Sequence, residues 1–244
     1  MIAATRHLKL PFQFDEAKLV QDLSALKEDL WIPHYNTQGY AGEWKVIPLY
    51  APQGDGTNIV IFTPDQESRA TETQWLKACP YFKEVIDSFQ FPIVTARILR
   101  LAVGSEIKPH RDHELGYEDG CFRLHIPIVT NPEVHFVLDG DELTMLPGEC
   151  WYTNVNYEHS VVNAGTQDRM HLVIDGERNA WSDELFFSLA PQESFEPTEG
   201  LQEESPETLQ RIIEELERSD LPIAKELIAE NKEKLARLTS TSRS

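Results

Sequence analysis

Apolar positions recur along this 244-residue chain with two different periods, and the change from one to the other marks out its parts. Residues 6–14 alternate in polarity around Leu8, Leu10, Phe12 and Phe14, the period of a half-buried strand. After Asp15, a residue suited to cap a helix, Leu19, Leu23, Leu26 and Leu30 recur at helical spacing. The aromatic and β-branched stretch from Trp31 to Tyr50 is broken by Gly39 and Gly42, which predicts a turn followed by a strand from Gly42 to Leu49. Residues 51–73 are polar and turn-rich and read as a mobile loop. Pro80, in the position favoured at the first turn of a helix, precedes Phe82, Val85, Ile86 and Phe89 and predicts a second helix.

From Ile93 to about residue 190 the pattern changes to short apolar runs separated by turn residues. Candidate strands cover 93–103, 107–112, 122–129, 133–139, 142–146, 150–153, 158–163 and 169–175, and Asp139-Gly140 is a strong hairpin signal. Eight short strands at this spacing predict an antiparallel double-sheet barrel, jelly-roll or cupin-like, with a central cavity. The fold class is therefore mainly β with flanking helices. The last fifty residues differ again. Residues 191–204 read as an acidic linker, rich in Glu, Pro and Gln. Residues 205–244 read as a helical extension: Ser205-Pro206 opens a helix with Leu209, Ile212, Ile213 and Leu216 on one side, and Asp220-Leu221-Pro222 ends it. A second amphipathic helix follows with Leu227, Ile228, Leu235 and Leu238, before a disordered Thr/Ser tract. This divides the chain into a domain over 1–190, a linker and a tail that could dock on the barrel, form a homodimer contact or bind a partner. No internal repeat is visible.

Composition narrows the function classes. A net charge of −19 and a pI near 4.7 argue against nucleic acid and anionic membranes as partners, since both reward a basic surface. Cys79, Cys121 and Cys150 have no C-x-x-C spacing and suggest neither a disulfide framework nor structural zinc. Met1 to Pro11 lacks an apolar run, and no segment approaches the length of a membrane span. A reduced, cytoplasmic setting is expected.

The candidate chemistry lies in Ile107-Lys108-Pro109-His110-Arg111-Asp112-His113-Glu114, read with His159 and with Arg169 ten residues later. Pro109 and the glycines at 116 and 120 leave no room for a helix, and on a strand His110 and Asp112 point the same way. Two imidazoles and one carboxylate on one face of a metal, with other positions open, suit a non-haem Fe(II) oxygenase. His110, Asp112 and His159 fit that set. Three remaining positions would take a chelating 2-oxo acid and O2, and Arg169 suits the far carboxylate of 2-oxoglutarate. If residues 158–162 and 169–174 pair as a hairpin, Val162 faces Arg169 and His159 lies on the order of 10 Å from it, the span of a five-carbon diacid.

His110-Arg111-Asp112, the distal His159, Arg169, and Arg123-Leu124-His125 followed by Ile126-Pro127-Ile128 resemble the aspartyl/asparaginyl β-hydroxylase family over roughly residues 40 to 178. That family includes bacterial hydroxylases of free proline and other amino acids. The resemblance implies a double-stranded β-helix, iron on His110, Asp112 and His159, and 2-oxoglutarate on Arg169. It also implies that Arg123 and His125 contact 2-oxoglutarate or a substrate carboxylate, and that Arg97 binds substrate. The activity implied is hydroxylation of an unactivated C–H, with release of succinate and CO2. The peptide-modifying animal members lack the metal-binding acid, so the presence of Asp112 favours a free amino acid or similar small acid over a peptide.

Blander roles stay open for other residues of suitable type. His113 and Glu114 read as solvent-exposed turn residues, and His135 as a core or rim histidine without an acid partner. His171 shares the strand parity of Arg169 and suits either a place near the cofactor or a structural role. Arg97 and Arg100 lie on opposite faces of one strand, so only Arg97 is expected to reach the cavity. Peptidyl Asp/Asn hydroxylation, a metal cupin without 2-oxoglutarate, and a non-catalytic sensor are the alternative functions.

Overall fold

The structure is a computed structural model that describes residues 3–59, 70–195 and, towards the C-terminus, 209–210, 213, 216, 227–229, 231–232 and 235–236. The chain divides into two compact units, Met1–Glu196 and Pro197–Ser244. The first opens with β1 (His7–Gln13), α1 (Glu16–Ala25), β2 (Ile32–Pro33), β3 (Tyr40–Ala41), β4 (Trp44–Pro52), β5 (Ala70–Glu72) and α2 (Pro80–Asp87). There follow β6 (Ile93–Leu101), β7 (Glu106–His110), β8 (Cys121–Val129), β9 (Val134–Leu138), β10 (Asp141–Leu143), β11 (Glu149–Thr153), β12 (His159–Asn163), β13 (Arg169–Glu177) and α3 (Ala180–Phe187). The candidate strands from Ile93 onwards are found within a few residues of their expected bounds.

The strands form two antiparallel sheets. The larger runs β1-β11-β8-β13-β6-β4-β2, with β5 beside β4, and the smaller runs β10-β9-β12-β7-β3. Strands β6 to β13 therefore split evenly between β11-β8-β13-β6 and β10-β9-β12-β7, which is the double-stranded β-helix. The expected hairpin at Asp139-Gly140 is present, and both residues have positive φ, 49° and 84°, the geometry that lets β9 turn directly into β10.

One expected pairing is wrong. Strands β12 and β13 do not form a hairpin: Val162 pairs with Glu106 and His135, whereas Arg169 pairs with Leu101 in the other sheet. Residues 163–168 carry the chain from sheet to sheet. The crossing is held by buried Asn163, whose Nδ2 donates to the carbonyls of Leu101 at 3.1 Å and Gln167 at 3.0 Å. A run of strand, turn and strand reads locally as a hairpin, but a jelly-roll sends consecutive strands to opposite layers.

The apolar core lies on the outer face of the larger sheet. Ile47 and Leu49, Ala96 and Ile98, Leu124 and Ile126, Leu172 and Ile174 point there and meet Leu19 of α1, Phe82 and Ile86 of α2 and Phe186 of α3. Asp15 caps α1 by accepting from the Lys18 N–H at 3.1 Å. Helix α1 is shorter than its leucine spacing predicts. Leu26 is extended, and a short 3-10 turn at Glu28–Leu30 delivers Glu28 to Arg100, whose Nη1 and Nη2 donate to it at 2.8 and 2.6 Å. Helix α2 starts at Pro80, and Asp22 of α1 accepts from the N–H groups of Tyr81 and Phe82 at 2.7 and 2.8 Å.

The stretch expected to be a linker over 191–204 begins as packed structure. Gln192–Phe195 is a 3-10 turn in which Phe195 is buried against Tyr117 and Phe186, and the Ser194 carbonyl accepts from the Thr5 N–H at 2.8 Å. In the second unit, Leu209, Gln210, Ile213 and Leu216, and then 227–229, 231–232 and 235–236, are helical. The remaining linker, the break at Pro222, the Thr/Ser tract and residues 60–69 of the expected mobile loop lie outside the described residues.

Candidate active site

Alternation along the larger sheet puts a second set of side chains on its inner face, towards the smaller sheet. Register aligns them in rows. Thr95, Asp175, Arg123 and Thr153 form one row, and Arg97, Val173, His125 and Trp151 the next. Leu99 lies beside His171, and Arg169 lies beside Leu101, six residues along β13 from Asp175, about 20 Å at strand rise. Phe136 of β9 faces this array from the smaller sheet, with its ring centroid 5.6 Å from that of His125 and 5.7 Å from the Arg169 guanidinium.

His110 and His159 are cross-strand partners on β7 and β12, with ring centroids 4.2 Å apart. Each ring has its Nδ1 on the carbonyl two residues back, His110 on Lys108 at 2.8 Å and His159 on Tyr157 at 3.1 Å. A carbonyl only accepts, so Nδ1 carries the proton in both and Nε2 is left as the lone-pair nitrogen. Asp112 does not lie on the strand as expected. Strand β7 ends at His110, and Asp112 returns to the histidines through a loop pinned by its N–H on the Val155 carbonyl at 2.9 Å. Its Oδ1 is 3.6 Å from His110 Nε2. Donor atoms of His110, Asp112 and His159 all lie within 4.8 Å of one another, an arrangement that could hold a metal ion.

The electrostatics suit such an ion. Burial alone would raise the Asp112 carboxyl, but Arg123, with His159 and His110, pulls it well below the usual carboxylate range. Burial lowers His159 to about 4 in spite of Asp112, so the ring is neutral at pH 7, the form that ligates metals. Arg123 bridges two carboxylates. Its Nη1 donates to Asp112 Oδ2 at 2.5 Å, and its Nε and Nη2 donate to Asp175 at 2.8 and 3.3 Å. Arg97 Nη1 meets the same Asp175 at 3.1 Å and Thr95 Oγ1 at 2.7 Å.

Farther in, Arg169 is 2% exposed, and burial lowers it to about 9; among the described residues no carboxylate pairs with it. Its Nη2 contacts His171 Nδ1 at 3.0 Å. Of the seven buried side-chain atoms left without a partner among the described residues, six are on this inner face: Trp44 Nε1, both nitrogens of His125, Thr153 Oγ1, Arg169 Nε and His171 Nε2. Buried polar atoms are rarely left unpaired. A buried, cationic, donor-rich inner face beside three metal-competent ligands fits Fe(II) together with a dicarboxylate such as 2-oxoglutarate.

The sequence model of the Aspartyl/Asparaginyl beta-hydroxylase family matches residues 13–179. The chain belongs to the aspartyl/asparaginyl β-hydroxylase family. The match begins earlier than the motif-based resemblance at residue 40 and takes in α1, which packs in the core of the same unit. Curated relatives include L-proline cis-4-hydroxylase of Rhizobium meliloti (strain 1021), 28% identical over 171 residues, and L-proline cis-3-hydroxylase 2 of a Streptomyces species, 26% identical over 175. Each alignment covers 69% of this chain, which spans 60% and 59% of the relatives' own lengths. A solved oxidoreductase of the 2OG-Fe(II) oxygenase family from Burkholderia pseudomallei is similar at 15% identity with a TM-score of 0.45, over 67% of this chain and 79% of that one.

Within this family member, the structure places every candidate site residue except Asp112 on a strand, and separates others from the site. Arg100 points outward, over Trp31 and onto Glu28. His135 has an acid partner after all, Glu142, at 2.5 Å on an exposed face of the β9–β10 hairpin. Two residues of the site were missed. Asp175 has the strand parity of Arg169 and His171, and a carboxylate in an apolar run is costly unless paired, which is a legible signal. His34 stacks on Trp44 at 3.5 Å, and burial, with Arg97 beside it, lowers it to about 3; no sequence pattern marks it.

Proposed function

We propose that this chain is an Fe(II)- and 2-oxoglutarate-dependent dioxygenase that hydroxylates an unactivated C–H bond of a free amino acid or related small carboxylic acid, releasing succinate and CO2. The observation that carries this reading is two features beside one ring, Phe136, which lies 6.4 Å from His159 and 5.7 Å from the Arg169 guanidinium: three convergent ligands, His110, Asp112 and His159, and a buried guanidinium that no described carboxylate neutralises. The printed activities of the two proline hydroxylases support the choice of a free amino acid. A cytoplasmic setting is part of the proposal, in keeping with three free cysteines; no helix among the described residues is long and apolar enough to cross a membrane.

Iron(II) held by His110, Asp112 and His159 would activate O2, with a 2-oxo acid as co-substrate, chemistry that no side chain supplies. The protein's own residues do the rest. His110 and His159 present Nε2 because their Nδ1 protons are held by backbone carbonyls. Arg123 holds Asp112 Oδ2 and leaves Oδ1 turned to the histidines. Arg169 receives the far carboxylate of 2-oxoglutarate, and neutral His125, buried with both ring nitrogens unpaired, donates to the bound 2-oxo acid or to a substrate carboxylate. Arg97, buried beside Asp175, orients the substrate by its carboxylate.

Anaerobic addition of Fe(II) and 2-oxoglutarate should give the weak visible charge-transfer band of the chelate. Admission of air with a panel of free amino acids should then give succinate, driven by one of them. A chelator should abolish both. Arg169→Gln should weaken 2-oxoglutarate binding by at least about 30-fold, the cost of removing one partner of a buried charged pair. Stimulation by Asp- or Asn-containing peptides alone would move the substrate to a peptide, and absence of both band and succinate would overturn the oxygenase reading.

A further inference from the structure

His171 carries a proton on an atom that meets no partner among the described residues. Its Nδ1 lies 3.0 Å from Arg169 Nη2, and a guanidinium nitrogen only donates, so Nδ1 must accept. The ring is 2% exposed and neutral, because burial, reinforced by Arg169, pushes its pKa well below the ordinary histidine value. A neutral imidazole that accepts at Nδ1 has its single proton at Nε2. Among the described residues that buried N–H has no partner, and it lies on the inner-face side of β13 that also bears Arg169. A donor left buried in this way loses its hydration and gains nothing in return, so an acceptor is expected opposite it.

We propose that His171 Nε2–H is a second donor to the anionic end of the co-substrate, binding the same distal carboxylate that Arg169 pairs with. The proposal rests on the 2-oxoglutarate reading above and adds to it a residue and an atom. The two side chains form one device. Arg169 supplies the charge, and its Nη2–H to His171 Nδ1 locks the tautomer that aims the second proton into the pocket. A guanidinium with its Nε also unpaired and a directional N–H together select a planar carboxylate over a hydroxyl or a halide. The ligand class is a 2-oxo acid with a carboxylate at its far end.

The alternative is that His171 only steadies Arg169. Two substitutions separate these roles because amides mimic different ring atoms. In His171→Asn the amide oxygen can still accept from Arg169 near the Nδ1 position, but nothing reaches the Nε2 position. In His171→Gln the amide nitrogen reaches the Nε2 position and can donate there. The measurement is 2-oxoglutarate affinity by calorimetry, using full-length protein loaded with Mn(II) so that no turnover occurs. Mn(II) affinity and thermal unfolding are measured on the same samples.

The expected result is that His171→Asn raises Kd for 2-oxoglutarate by roughly 10- to 100-fold, the range for a hydrogen bond to a charged group. His171→Gln should lose less than half of that effect on a logarithmic scale, with Mn(II) affinity the same in all three proteins. For 2-oxobutyrate, which lacks the far carboxylate, wild type and His171→Asn should bind equally. An Asn variant that keeps wild-type affinity, or a loss that is the same for 2-oxobutyrate, overturns the role of His171 and leaves the 2-oxoglutarate reading standing. A wild-type protein that binds Mn(II) but not 2-oxoglutarate overturns that reading, and this inference with it. If His171→Asn does not fold, the Gln variant with the two 2-oxo acids decides the matter: a discrimination between them reduced below wild type by more than tenfold overturns the donor role.

Discussion

Asp175→Asn would leave the guanidinium groups of Arg97 and Arg123 buried without the carboxylate that both now meet. Burial works against the Asp175 carboxylate, and Arg123 and Arg97 more than reverse it, so its pKa lies below the ordinary value. Removing one member of such a buried set costs about 3–5 kcal/mol, and urea unfolding of the variant should show a loss of that order. It should also weaken Fe(II) binding, because Arg123 would lose the partner that aims it at Asp112. The buried histidines give a second expectation. His125 and His171 have pKa values well below 6.5 in the folded state, through burial and the nearby arginines. As pH falls below about 6.5 the unfolded chain takes up protons that the folded one refuses, so stability falls with pH by about 1.4 kcal/mol per unit for each such ring. The urea midpoint of the metal-free protein should therefore drop steeply between pH 7 and pH 5, and should do so less in His171→Gln. At this scale the grouping of His110, Asp112 and His159 was legible, because their chemistry is rare in combination, and the roles proposed for them and for Arg169 rest on it. His34 was not, since a histidine that stacks on Trp44 looks like any other in the linear pattern.

Among the elements, turns of the barrel carry the cleanest expectation. Gly140 (φ 84°) closes the β9–β10 hairpin with open space around the position of a Cβ, so Gly140→Ala costs only the left-handed conformation, about 1–2 kcal/mol. Gly148 (φ 76°) enters β11 with the Phe14 carbonyl oxygen 2.3 Å from where a Cβ would lie. Gly148→Ala should be clearly the more damaging of the two, by thermal unfolding, because backbone must move as well. Equal effects would mean that β1 and β11 separate more easily than their pairing suggests. Strand positions were readable from period-two patterning and turn residues, whereas strand partners were not. Val162 and Arg169 look like neighbours across a short turn, and they sit in different sheets because Asn163 takes the chain over the barrel edge. Helix α1 likewise stops before its leucine pattern does, because the Glu28 to Arg100 pair and the burial of Leu26 outweigh helical propensity.

For the whole molecule, the proposed oxygenase chemistry falls to the first unit. Every inner-face residue and the family match fall within Met1–Glu196. A chain ending after Glu196 should fold with an unchanged unfolding midpoint and bind Fe(II) and 2-oxoglutarate like the full chain. Loss of binding on truncation would give residues 197–244 a part in the site. What the sequence determined by itself was the composition of each layer: which strand residues alternate, where turns fall, and which side chains have the chemistry to hold a metal and a carboxylate. Those are properties of one residue and its near neighbours along the chain. Only the tertiary structure decided the pairing of strands across two sheets. With it came the return of Asp112 from beyond its strand, the arginine pair shared by Asp175, and the Nε2 tautomer of His171. These depend on which distant groups meet when buried, where an unpaired charge or N–H is costly enough to dictate its partner.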